Sequence, residues 1–117
     1  MCRVNYGAII LADVPFHSDN PHAHTGTHLY AVVSNEASCK FSPVVNVVPL
    51  TSRCAKRRLP TQVEINSNFL PKKSFCLAEQ LTLMSKELLE HGKYYGTLET
   101  SSMEKLKAAI KVQLALV

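Results

Sequence analysis

Thr51, Ser52 and Arg53 stand together where an apolar run, Val44 to Leu50, comes to an end, and Lys56, Arg57 and Arg58 follow shortly after. Hydroxyls on a strand end beside a cationic loop suit the holding of a phosphate. The hydroxyls donate to its oxygens, and a guanidinium grips two of them at once. A run of cations is also what an ordinary solvated loop looks like, so the pattern alone leaves both readings open. A second concentration of reactive side chains lies upstream, with Phe16, His17, Asp19, His22, His24 and His28. Imidazole is a common zinc ligand, and His22-x-His24 followed by His28 invites that reading. No cysteine or carboxylate at tight spacing completes a ligand set, so no metal and no cofactor is expected.

The elements that must position these groups belong to a chain of 117 residues, enough for one domain spanning 1–117. Hydrophobic residues make up 46% of it, which favours a packed core over disorder. The formal charge of +4 permits a polyanionic partner without requiring one. Cys2, Cys39, Cys54 and Cys76 form no Cys-x-x-Cys pair and match no zinc-finger spacing. No secretory signal is expected from Met1 to Asn5 and the short apolar run after it, and no segment approaches the roughly 20 apolar residues of a membrane helix. Reduced thiols in a cytoplasmic protein are the expectation.

Ala8 to Asp13 reads as a first strand, and Val14 to Thr27 as a loop. Leu29 to Ser34 is a β-branched and aromatic second strand, Asn35 to Pro43 a polar connection, and Val44 to Leu50 a third strand. Gln62 to Ile65 gives a fourth strand and Ser74 to Leu81 a fifth. Ser85 caps a short helix through Leu89 that Gly92 ends, and Tyr94 to Leu98 is one more strand. Ser101 and Glu104 have capping-box spacing, and Met103, Leu106, Ala109 and Ile110 form the apolar side of a terminal helix, with Tyr94 and Tyr95 expected beneath it. Several short strands with helices gathered late predict an α+β fold on an antiparallel sheet or small barrel.

Five segments in order resemble the MazF/PemK family of toxin endoribonucleases: Tyr6 to Asp13, Ala31 to Asn35, Pro49 to Ser52, Leu59 to Ile65, and Leu77 to Gln80. The resemblance runs from about Tyr6 to Leu116. It implies a small SH3-like barrel of the MazF/CcdB type with a C-terminal helix, paired as a homodimer. It implies a metal-independent toxin of a type II toxin-antitoxin system that cuts single-stranded RNA at a short sequence, with a cognate antitoxin. Departures fall on the site. Ala8 stands where the family has an acid, Thr82 where it has an arginine, and His28, in Gly26-Thr27-His28-Leu29, where the family's Gly-x-Arg-Pro carries its catalytic arginine. The related gyrase poison CcdB depends on a C-terminal tryptophan, and this chain has none.

Such cleavage uses the ribose 2′-hydroxyl as nucleophile. The protein moves protons and stabilises charge on the phosphoryl oxygens. Histidine cannot copy a guanidinium's grip but exchanges protons near neutral pH. The expected roles are therefore proton transfer by His28, hydrogen bonds to the phosphate from Thr51 and Ser52, and positive charge from Arg53. Lys56, Arg57 and Arg58 would track the RNA backbone. Phe16, His17 and His24 would stack on unpaired bases, Gln80 would read a base edge, and Glu79 would close hydrogen bonds at a strand end. The alternative is a MazF-like scaffold that binds RNA or antitoxin without cutting.

Overall fold

The computed structural model describes residues 3–15, 26–53 and 59–116. Seven strands are described: β1 (Ala8–Val14), β2 (Gly26–Val32), β3 (Val44–Thr51), β4 (Gln62–Ile65), β5 (Ser74–Leu77), β6 (Thr82–Ser85) and β7 (Lys93–Thr97). Three α-helices accompany them: α1 (Glu36–Phe41), α2 (Lys86–Glu90) and α3 (Thr100–Gln113). The strands form one antiparallel sheet in the order β4-β5-β3-β2-β1-β7, with β6 paired to β3 off that path.

The central strands β1, β2 and β3 are apolar on both faces because both are covered. On one face Ile9, Ala31, Val48 and Leu50 pack against Met103, Leu106 and Ala109 of α3. On the other, Ile10, Tyr30, Val32 and Val47 pack against Cys39 of α1 and Leu89 of α2. This explains why Ala8 to Ala12 reads as an unbroken apolar run rather than an alternating one.

β3 is the long member and changes partner along its outer edge. Val44 to Val47 pair with β6, whereas Leu50 and Thr51 pair with Cys76 and Phe75 of β5. Val48 and Pro49 fall between the two partners. Proline has no N–H to give a ladder, so Pro49 sits where the outer ladder is interrupted. The sheet divides there, and Thr51 is carried just past the division.

Five expectations need correction. β1 extends to Val14 and β2 begins at Gly26, so Gly26, Thr27 and His28 belong to a strand rather than a loop. The connection after Asn35 contains α1, whose Ser38 N–H donates to Asn35 Oδ1 at 2.8 Å and whose Cys39 is buried. The apolar stretch from Ser74 to Leu81 is not one strand. It turns through a 3-10 segment at Ala78–Gln80 and then forms β6. The capping box is not made: α3 starts at Thr100 behind Glu99, Ser101 lies within the helix, and Glu104 bonds Lys107 at 3.2 Å. Strand alternation also separates the two tyrosines. Tyr95 packs with the α3 cluster, whereas Tyr94 packs with the other and shares a hydrogen bond with Thr97.

Gly92 follows α2 in close contact with β1. A Cβ there would collide with the Leu11 carbonyl and lie 2.8 Å from Ile10 Cγ2. Backbone cannot yield as a side chain can, so Gly92→Ala is expected to cost about 1–3 kcal/mol in urea unfolding. Burial pushes the Tyr30 phenol and the Cys76 thiol each up to about 12. In the unfolded chain both ionise more readily. Their contribution is therefore complete below the unfolded pKa values of 10.0 and 9.0 and is lost as pH rises toward 12. The urea midpoint should fall between pH 8 and pH 11, less steeply in Tyr30→Phe and Cys76→Ala.

Candidate active site

The ends of β2 and β3 bring two of the anticipated residues together. The β2–β3 register runs Val32 to Val47, Ala31 to Val48 and Tyr30 to Pro49. Continued by two residues, the same register sets His28 across from Thr51. His28 lies half-buried on β2, edge-on to the Tyr30 ring at 6.5 Å between centroids. Gly26, two residues before it, has φ +87°, a conformation that favours glycine at the start of β2.

Thr51 closes a tight turn with its own side chain, its Oγ1 accepting the Arg53 backbone N–H at 3.2 Å. That bond uses one lone pair of the hydroxyl and leaves its proton available to a ligand. His28, Thr51 and Ser52 line one open cleft of ≈ 300 Å³, together with Thr27, Ser74 and Lys72. Leu11, Leu29 and Leu50 supply its apolar floor. Thr27 in turn donates to Asp13 Oδ1 at 3.3 Å, which ties the start of β2 to the end of β1.

The other anticipated residues are placed differently. Arg53 is exposed and adjoins the cleft through Ser52 without lining it. Gln80 is exposed at the end of the 3-10 turn and does not line it either. Phe16, His17, His22, His24, Lys56, Arg57 and Arg58 lie outside the described residues. Among the described residues no group of three or more histidine, cysteine, aspartate or glutamate side chains could hold a metal ion. No helix among them is long and apolar enough to cross a membrane.

An antiparallel sheet backed by a C-terminal helix agrees with the fold that the motifs lead one to expect. A family model described as PemK-like, MazF-like toxin of type II toxin-antitoxin system matches residues 5–114. The chain belongs to that family. Endoribonuclease MazF of Staphylococcus saprophyticus is 32% identical over 93 residues, covering 78% of this chain and 76% of that protein. The chain is thus a MazF-like toxin endoribonuclease of a type II toxin-antitoxin system, by homology.

Solved structures agree on the fold. An endoribonuclease from mycobacterial species, in complex with its cognate antitoxin, superposes with a TM-score of 0.77 at 24% identity and covers 97% of this chain and 96% of its own. MazF from Deinococcus radiodurans gives 0.75 at 17% identity, with 95% and 96% covered. Both share the α+β architecture with an antiparallel sheet and a C-terminal helix.

In this MazF-like chain Glu79 acts as a strap. Its two carboxylate oxygens accept from Thr61 Oγ1 at 3.0 Å and Gln62 Nε2 at 2.8 Å, tying the 3-10 turn to the start of β4. Thr61 is buried, so loss of its acceptor leaves a hydroxyl without compensation. Glu79→Ala should cost about 1–3 kcal/mol in chemical denaturation. The folded fraction should cleave RNA at a rate near that of the parent chain. A large loss of cleavage in fully folded Glu79→Ala would assign Glu79 to the chemistry instead.

Proposed function

We propose that this toxin cuts single-stranded RNA, at a short sequence, by attack of the ribose 2′-hydroxyl on the neighbouring phosphate. The 2′-oxygen forms a bond to phosphorus and the bond from phosphorus to the 5′-oxygen breaks. The products are a 2′,3′-cyclic phosphate and a 5′-hydroxyl. One proton leaves the 2′-oxygen and one is delivered to the 5′-oxygen, so the site needs a group that exchanges protons. His28 takes that part. Thr51 donates the hydroxyl proton that its turn leaves free, and Ser52 adds a second donor to the phosphoryl oxygens. Arg53 stands at the rim beside them.

The observation that carries this reading is the β2–β3 register, which, continued by two residues, sets His28 across from Thr51 on one face of the sheet. The relatives solved with antitoxins, from mycobacterial species and from Deinococcus radiodurans, support a cognate antitoxin as the protein partner here. A homodimer follows from the family resemblance.

Purified protein incubated with a long RNA in chelator should yield discrete 5′ ends that share a short sequence. His28→Ala should slow cleavage by about 10²- to 10⁴-fold, the usual range for a positioned acid or base. Undiminished cleavage would remove His28 from the mechanism. RNA that is bound yet left intact by the parent chain would favour the non-cutting alternative, to which the histidine in place of the family's arginine also points.

A further inference from the structure

We propose that the cleft on the α3 side of the sheet is a nucleobase subsite. It takes a base with an N–H beside a carbonyl, uracil or guanine, from the RNA whose phosphate is held at the opposite face. The proposal deepens the ribonuclease reading and rests on it for the identity of the ligand.

Two rows of side chains build the subsite. Leu11 pairs with Leu29, and the β2–β3 register, continued by one residue, sets Leu29 across from Leu50. These leucines lie abreast on the face that carries Ile9, Ala31 and Val48, one row nearer the end of the sheet. Leu11 and Leu29 remain half-buried, so the row is an open floor rather than part of the sealed core. Two residues further along each strand the face turns polar. Asp13 pairs with Thr27, and Ser74 stands two residues before Cys76, the partner of Leu50. Thr27, Ser74 and Lys72 line the cleft above the leucines, ≈ 300 Å³ in volume. A base has apolar faces and a polar edge, which suits an apolar floor beside a polar wall.

The hydrogen bonds already made determine what that wall offers. A carboxylate only accepts, so the Thr27 proton is committed to Asp13 Oδ1, 3.3 Å away, and the Thr27 oxygen is left as an acceptor. The Ser74 proton is likewise held by the Lys72 carbonyl at 3.0 Å, which leaves a second acceptor oxygen. The Lys72 ammonium only donates. A donor with acceptors beside it is the complement of a carbonyl beside an N–H. Uracil and guanine present that pair on their Watson–Crick edges. Cytosine has an acceptor nitrogen next to its carbonyl, and adenine has no carbonyl.

Strand alternation lets one strand end serve both groups. Thr27 and His28 are neighbours in β2 and face opposite sides of the sheet, Thr27 with the leucines and His28 with Tyr30. A nucleotide carries its base and its phosphate at opposite ends, so RNA passing over the end of the sheet lays one on each face.

The test compares full-length parent, Lys72→Met, Thr27→Val and Lys73→Met proteins, each checked for an unchanged melting temperature. Lys73 is turned to Glu64, 3.7 Å away, and serves as the neighbouring-charge control. Each protein cleaves an RNA pool randomised around the cut, and the new ends are sequenced. The parent should favour uracil or guanine at one position beside the cut. Lys72→Met should weaken that preference by about 10- to 100-fold, the worth of one charge-assisted hydrogen bond, and Thr27→Val by about 3- to 10-fold, that of a neutral one. Preferences at other positions should stay, and Lys73→Met should match the parent. A preference unchanged in both cleft variants, or lost equally in all three, would overturn the proposal. So would unchanged preferences with weakened binding of the cognate antitoxin, which would assign the cleft to a protein side chain. If the parent leaves RNA intact, the ribonuclease reading fails, and binding of 2′-deoxy oligomers of uridine, cytidine and adenosine decides the subsite. Tighter binding of the uridine oligomer, lost in Lys72→Met and Thr27→Val, then upholds it, and equal or absent binding of the three overturns it.

Discussion

The candidate site depends on the change of partner along the outer edge of β3. One strand is bonded first to β6 and then to β5, and the exchange happens over Val48 and Pro49. A regular strand would keep one neighbour for its whole length and end as part of a flat edge. Here the end of β3 is handed to a different strand, so Thr51 faces His28 of β2 on one side and the approach to β5 on the other. Pro49 suits this position because the missing N–H falls where the outer ladder has a gap. The starts and ends of β2, β3 and β5 meet at this point, with Leu11 of β1 beside them.

This arrangement divides the work of phosphate chemistry between side chains of different kinds. A guanidinium can hold charge and geometry at once, and the family motif puts one on β2. On the mechanism proposed above, the imidazole at that place takes up proton exchange, a duty that a guanidinium does not perform. The hydroxyl of Thr51 accepts the N–H of Arg53 and keeps its own proton for a ligand.

Much of the fold was legible in the chain because its strands are buried and its last helix is amphipathic. The alternation from Gln62 to Ile65 marks β4 within its observed bounds, and Ser85 does cap α2, accepting the Leu88 N–H at 3.4 Å. The misreadings have physical causes. α1 has six residues, too few to hold by propensity, and it exists because Asn35 caps it and Cys39 inserts into the core. Between Leu77 and Thr82 no glycine or proline marks the turn, which is instead stabilised by Glu79 bonding back to β4. The polar start of β2 concealed that His28 is held on a strand. For the candidate site, motif order puts His28 and Thr51 at neighbouring strand ends, while the face they share follows from the β2–β3 register, which leaves no local pattern.

The central claim is that a phosphate is held where β2, β3 and the approach to β5 converge. Amide chemical shifts followed by NMR during titration with a non-cleavable 2′-deoxy oligonucleotide test it most directly. The account predicts that Thr27, His28, Thr51, Ser52, Lys72 and Ser74 shift together along one saturation curve. Shifts that spare these three segments and collect elsewhere on the sheet would contradict it.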